Sequence, residues 1–129
     1  MADRISNATQ TRLKQACESL NEAKALLAQD AAGNFVANYL YYAFLYSLRG
    51  FLESQGISTS EHSRAISILE QDFVLTGKIE RRFYDAIRQA NDLRPTCNCA
   101  VNRRATSEDI AQLLPIAQEF LDFVSRFIK

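Results

Sequence analysis

The sequence predicts an all-α fold, an up-and-down bundle of about five helices built on a four-helix core. Three observations carry that expectation. Four glycines and two prolines in 129 residues are too few for the repeated turns of an all-β protein. Apolar residues recur at intervals of three and four in one stretch after another. The stretch from Phe35 to Ser54 is apolar around most of its circumference, as a helix is when several neighbours enclose it. With 47% hydrophobic residues, a single domain over residues 1–129 can bury about 70% of the surface its unfolded chain exposes.

The first helix is expected from Asn7 to Ala28, where Leu13, Ala16, Leu20, Ala23 and Leu27 form a narrow seam suited to one packing partner. The second runs from Phe35 to Ser54. Phe35, Tyr39, Tyr42 and Tyr46 share one face, and Leu40, Phe44, Leu48, Phe51 and Leu52 fill much of the rest. Asn38, Ser47, Arg49 and Gly50 interrupt it, so it falls short of the roughly 18 uninterrupted apolar residues of a membrane span. It is still more apolar than one small bundle usually buries, which predicts that part of it lies in a homodimer interface. The tyrosines, Tyr41 included, are read as core and interface. Gly56 ends this helix. Ser58, Thr59 and Ser60 offer caps for a third, from about Glu61 to Leu75, with Ala65, Ile66, Leu69, Phe73 and Val74 facing inward and Gly77 closing it.

The fourth helix is expected from about Lys78 to Leu93, with Ile79, Phe83, Ala86, Ile87, Ala90 and Leu93 at helical spacing. Pro95 stops it, because the residue before proline is disfavoured in helical geometry. The last helix begins at Thr106 or Ser107, and Glu108 and Asp109 complement its positive N-terminal end. Its apolar positions run from Ile110 to Phe127. Pro115, inside it, should bend the helix or leave one carbonyl free.

A net formal charge of zero and no basic tail mean that bulk charge calls for neither nucleic acid nor an anionic membrane, so any such partner is engaged locally. The N-terminal MADRISNATQTRLKQ lacks the apolar core of a signal peptide, and a cytoplasmic location is expected. Three cysteines, with Cys97 and Cys99 one residue apart, fit reduced thiols better than a disulfide framework. The C-x-C spacing, with Cys17 and His62 as the remaining soft ligands, is not that of a zinc site. No metal or cofactor is expected, and no phosphate loop, HExxH or nucleophile elbow is present.

His62 is the only histidine, so any histidine-dependent acid–base step near neutral pH falls to it. Its place at a helix start just after three hydroxylated residues favours a structural role, in which the imidazole hydrogen-bonds the loop. The segment from Lys78 to Arg104 holds seven basic residues against Glu80, Asp85 and Asp92, and arginine forks match phosphate oxygens. Arg94, Arg88, Asn98, Arg103 and Arg104 are therefore candidate contacts to nucleic acid or nucleotide, although Arg81, Arg82 and Arg88 also read as the solvated side of helix four. Arg94 stands apart, because it sits at the helix end just before a proline and projects toward the following loop.

In chain order, Tyr41-Tyr42-Ala43-Phe44, Ser60-Glu61-His62, Phe73-Val74-Leu75-Thr76-Gly77 and Leu93-Arg94-Pro95-Thr96-Cys97-Asn98-Cys99 resemble the motif succession of small stand-alone bacterial and archaeal HEPN proteins. These are all-helical domains named for nucleotide binding in higher eukaryotes and prokaryotes. The similarity covers nearly the whole chain. It implies a bundle that dimerises about a two-fold axis. Catalytic family members are metal-independent ribonucleases whose motif is an arginine followed four to six residues later by a histidine, the two protomers placing their motifs across a shared cleft. Arg94 occupies the arginine position, whereas Cys99, Ala100 and Val101 stand where the histidine would be. The resemblance thus implies a homodimer that binds RNA or a nucleotide around Arg94 with a degenerate nuclease motif, Arg94 and His62 being the candidate catalytic residues. It leaves two alternatives: an interaction module that pairs with a minimal nucleotidyltransferase in a toxin–antitoxin system, or an active metal-independent endoribonuclease.

Overall fold

The computed structural model describes residues 7–95 and 105–128, and these form the expected all-α bundle. Helix α1 (Asn7–Ala28) packs along α2 (Gly33–Ser54) after a tight turn. In that turn Asp30 adopts a left-handed conformation at φ 63°, and the Ala31 N–H returns to the Leu26 carbonyl. Aspartate tolerates this geometry because its short polar side chain can bond locally. Helix α2 is the hub, touching α1, α3 (His62–Ile68), α4 (Arg81–Leu93) and α5 (Ser107–Ile128). Its inner face, including Leu40, Tyr41, Phe44, Leu48 and Phe51, is buried. Phe44 meets Phe120 of α5, which in turn lies 5.1 Å from Phe83 of α4, so one aromatic cluster joins three helices. None of the helices among the described residues is long and apolar enough to cross a membrane.

The residues that interrupt the α2 pattern have separate uses. Ser47 is buried and donates its hydroxyl to the Ala43 carbonyl one turn back. Gly50 lets α1 approach, since a Cβ there would sit 3.3 Å from both Arg12 Cβ and Leu13 Cδ2. At the head of the helix, Gly33 lies against the backbone before α5, and a Cβ would come within 2.6 Å of the Ala105 oxygen.

Three boundaries differ from expectation. Helix α2 starts two residues early, at Gly33. The third helix is α-helical only to Ile68 and then winds as a π-helix from Leu69 to Val74, with the Leu75 N–H reaching the Glu70 carbonyl. The wider winding keeps Leu69 and Phe73 both in the core and leaves Glu70 facing a groove. Helix α4 begins at Arg81 rather than Lys78, because the N–H groups of Lys78 and Ile79 both turn back to the Phe73 carbonyl and end the preceding helix. Gly56 and Gly77 take positive φ of 82° and 81° at the two helix ends where they were expected. The third helix is capped less directly than foreseen: Glu61 is its cap residue, and the Glu61 N–H donates to Thr59 Oγ1.

At the start of α5, Thr106 and Asp109 exchange backbone N–H to side-chain oxygen bonds at 2.9 and 3.0 Å. This reciprocal pairing is a capping box and makes Thr106 the cap of a helix that begins at Ser107. Helix α5 continues through Pro115. Both Pro115 and Ala111 are exposed, so the carbonyl that proline leaves without a donor lies on the water side.

Candidate functional site

Pro95 shapes the site. The residue before a proline is steered into extended geometry, and Arg94 accordingly leaves α4 at φ −67° and ψ 149°, which carries its side chain back across α2. Three α2 residues spaced by four receive this corner. Asn34 Nδ2 donates to the Leu93 carbonyl at 2.6 Å, Asn38 Oδ1 accepts from Arg94 Nε at 3.1 Å, and the Tyr42 hydroxyl accepts from Arg94 Nη2 at 3.2 Å. Asn34 Oδ1 also accepts from the Ala105 N–H, so one side chain ties the exit of α4 to the entry of α5.

The Arg94 guanidinium carbon lies 4.3 Å from the centre of the Tyr41 ring and 5.1 Å from that of Tyr42, within cation–π range. Asn91 Oδ1 accepts from its Nη1. These neutral oxygens and ring faces orient the fork. Burial raises the pKa of Tyr41 and Arg94 opposes that rise.

His62, the first residue of α3, packs on the same two tyrosines, with ring centres 6.2 Å from Tyr41 and 6.0 Å from Tyr42. Burial lowers its pKa, and the positive charges of Arg49 and Arg94 lower it further. The imidazole is therefore held neutral at neutral pH, the form that can accept a proton. Folding thus brings Arg94 and His62, far apart in sequence, to one aromatic floor.

Together they line a groove of about 440 Å³ between α3, the π-helical segment and α4, with Arg88 and Glu70 on its walls. Arg88 is exposed, as expected of a solvated face. It nevertheless bends onto Tyr84, donating to that hydroxyl at 2.7 Å. Arg81 and Arg82 behave differently. Arg81 pairs with Glu70 and Asp85, and Arg82 with Glu80 and Glu119, so both are neutralised on the surface. Asn98, Arg103 and Arg104, like Cys97 and Cys99, lie outside the described residues. A larger hollow of about 570 Å³ lies between the start of α4 and α5, where Glu80, Glu119 and Asp122 stand against Lys78, Arg82 and Arg126 and Arg82 is paired with two of those carboxylates. The smaller groove is the better candidate, since it combines oriented cations with the only imidazole.

The sequence reading missed Asn34, Asn38 and Arg49 as site residues, treating Asn38 and Arg49 only as breaks in an apolar run. The available signal was the i, i+4, i+8 stripe of Asn34, Asn38 and Tyr42, hydrogen-bonding groups on one face of an otherwise apolar helix.

An all-helical bundle in which an oriented arginine and the sole histidine meet on a tyrosine floor defines the class, a small all-α domain. The HEPN domain model matches residues 9–127, and the chain belongs to the HEPN domain family. It is 28% identical over 116 residues to a UPF0332 protein of Thermotoga maritima, a match that covers 90% of this chain and 87% of that protein. No solved structure matches it.

Proposed function

We propose that this protein is a cytoplasmic homodimer that binds RNA or a nucleotide through the groove around Arg94. The observation that carries this reading is the orientation of Arg94: a guanidinium held on two tyrosine rings, with Arg88 and His62 lining the same groove. A fork fixed in this way meets phosphate oxygens in two-point contact at little further entropic cost. Dimerisation is supported by the outer face of α2, where exposed Phe35 and the part-buried Tyr39, Tyr42 and Tyr46 follow one another as a stripe rather than as isolated side chains. Fluorescence anisotropy with a labelled single-stranded oligoribonucleotide and with a labelled adenine nucleotide tests binding, and light scattering tests the dimer. Absence of binding to both probes, or a monomer at all micromolar concentrations, overturns the corresponding half of the proposal.

One observation favours a second reading, a metal-independent ribonuclease. Cleavage needs one group to take the 2′-hydroxyl proton and another to stabilise charge on the phosphate. Neutral His62 and cationic Arg94 lie on one floor and suit those two roles. Against it stands the missing histidine at residues 99–101, and the expected result is weak or absent cleavage by the wild type, raised more by Cys99→His than it is lowered by His62→Ala. Strong cleavage in the presence of a chelator, lost in His62→Ala, would establish the enzyme instead.

A further inference from the structure

Arg49 lies two turns along α2 from Tyr42, and Tyr42 stacks on the intervening Tyr46 at 5.9 Å. The Arg49 Nε is buried without a hydrogen-bond partner, and among the described residues the side chain takes part in no ion pair. Its natural counter-ion is one turn away, since Glu53 occupies the i+4 position at which arginine and glutamate pair on a helix. Glu53 is drawn off to Arg12 of α1 at 3.6 Å, a pairing that the close approach of α1 at Gly50 makes available. One oxygen of Glu53 stays buried and unpartnered, so the carboxylate does not turn to Arg49 even to satisfy itself. A half-buried cation with an unmet donor carries a desolvation cost that an anion would relieve.

We infer that Arg49 is a second phosphate ligand of this site, acting with Arg94 so that the two guanidinium groups hold one phosphate of the bound RNA or nucleotide beside His62. The inference rests on the reading of the groove as a site for a phosphate-bearing ligand. The titratable groups around His62 are Tyr41, Tyr42 and Arg49 from α2, Arg94 from the end of α4, and Glu70, Tyr84 and Arg88 on the walls of the same groove, with Glu61 preceding it in the chain. Both cations already act on the imidazole and disfavour its protonation. A phosphate seated between them supplies the negative charge that reverses this effect.

The sole histidine makes the test direct, because its imidazole NMR signal reports on this site alone. In the free protein, Arg49→Ala should raise the titration midpoint of His62. Saturation with a single-stranded oligoribonucleotide should raise the midpoint of the wild type and raise that of the variant less. Affinity for the same oligonucleotide should fall roughly tenfold or more in Arg49→Ala and be partly recovered in Arg49→Lys. Arg49→Gln serves if alanine prevents folding, and failure of both neutral substitutions to fold would assign Arg49 to the structure and overturn the inference. It is also overturned if the wild type binds RNA and the neutral variant binds equally well with the His62 midpoint unmoved, or if the substitution dissolves a dimer without moving that midpoint. If the wild type binds no phosphate-bearing probe, the reading of the groove falls first and this inference falls with it.

Discussion

The two ends of α4 treat the same residue type differently, although ring faces lie beside its arginines at both ends. At the N-terminal end, Arg81 and Arg82 each find two carboxylates, within the helix, on the π-helical segment and on α5. At the C-terminal end, Arg88 and Arg94 settle on tyrosine rings and hydroxyls. Exposed ion pairs of the first kind contribute little and cancel the charge they hold. Aromatic faces and neutral oxygens orient a guanidinium without cancelling it. The lesson is that clustered basic residues in sequence are not a basic patch in space: two of these arginines are spent on carboxylates, while the other two are laid on tyrosines that line or floor one groove.

This contrast can be broken by substitution. Arg94→Ala should have the largest effect, weakening RNA or nucleotide binding by about 1.5–3 kcal/mol, the range for charge-assisted hydrogen bonds, with the thermal midpoint little changed. Anisotropy titration measures it, and an equal loss from Arg81→Ala would erase the distinction between the two ends. Next comes Asn34→Ala, which leaves the Leu93 carbonyl without its donor and should lower stability by about 1–2 kcal/mol in a denaturant titration, weakening binding as the Arg94 corner loosens. Arg88→Ala should weaken binding in the same titration, but less than Arg94→Ala does, because its side chain is solvent-exposed. Arg81→Ala and Arg82→Ala should each change stability and binding by less than about 1 kcal/mol.

The smallest effect sharpens the picture of the electrostatics at His62. Its pKa in the fold lies below the ordinary 6.5, so between those two values the unfolded chain binds the extra proton and stability rises with pH. The contribution is fully present above pH 6.5 and is lost as pH falls through the folded value. Denaturation curves across that window should show the slope in the wild type and a flatter profile in His62→Gln. A slope of the opposite sign would mean that an acidic group, rather than Arg49 and Arg94, dominates the imidazole's surroundings.

Much of the bundle was legible in the chain because helical periodicity is a local property. The stop at Pro95, the glycines at the two helix ends and the cap of α5 each depend on residues a few positions apart and appear where expected; the seam of α1 does so from Leu13 to Ala23, but Leu27 is exposed and Leu26 takes the inward place as the helix ends. The π-helical winding after Ile68 was not legible, since it reflects the competition of Leu69, Phe73 and the Lys78–Ile79 turn for one core and one carbonyl. The Asn34–Asn38–Tyr42 stripe is visible in the sequence, but not what it binds, since its partners are 52 to 59 residues away.

By itself, then, the sequence determined the helices, the position of Arg94 beside a proline, and the presence of a single imidazole. Only the tertiary structure decided that His62 and Arg94 share a tyrosine floor, that Arg81 and Arg82 pair with carboxylates while Arg88 bends onto Tyr84, and that Arg49 has no counter-ion among the described residues. The physical reason is one of range. Backbone geometry is set by near neighbours, whereas the charge a side chain retains depends on which distant groups the packed helices bring within a few ångströms of it.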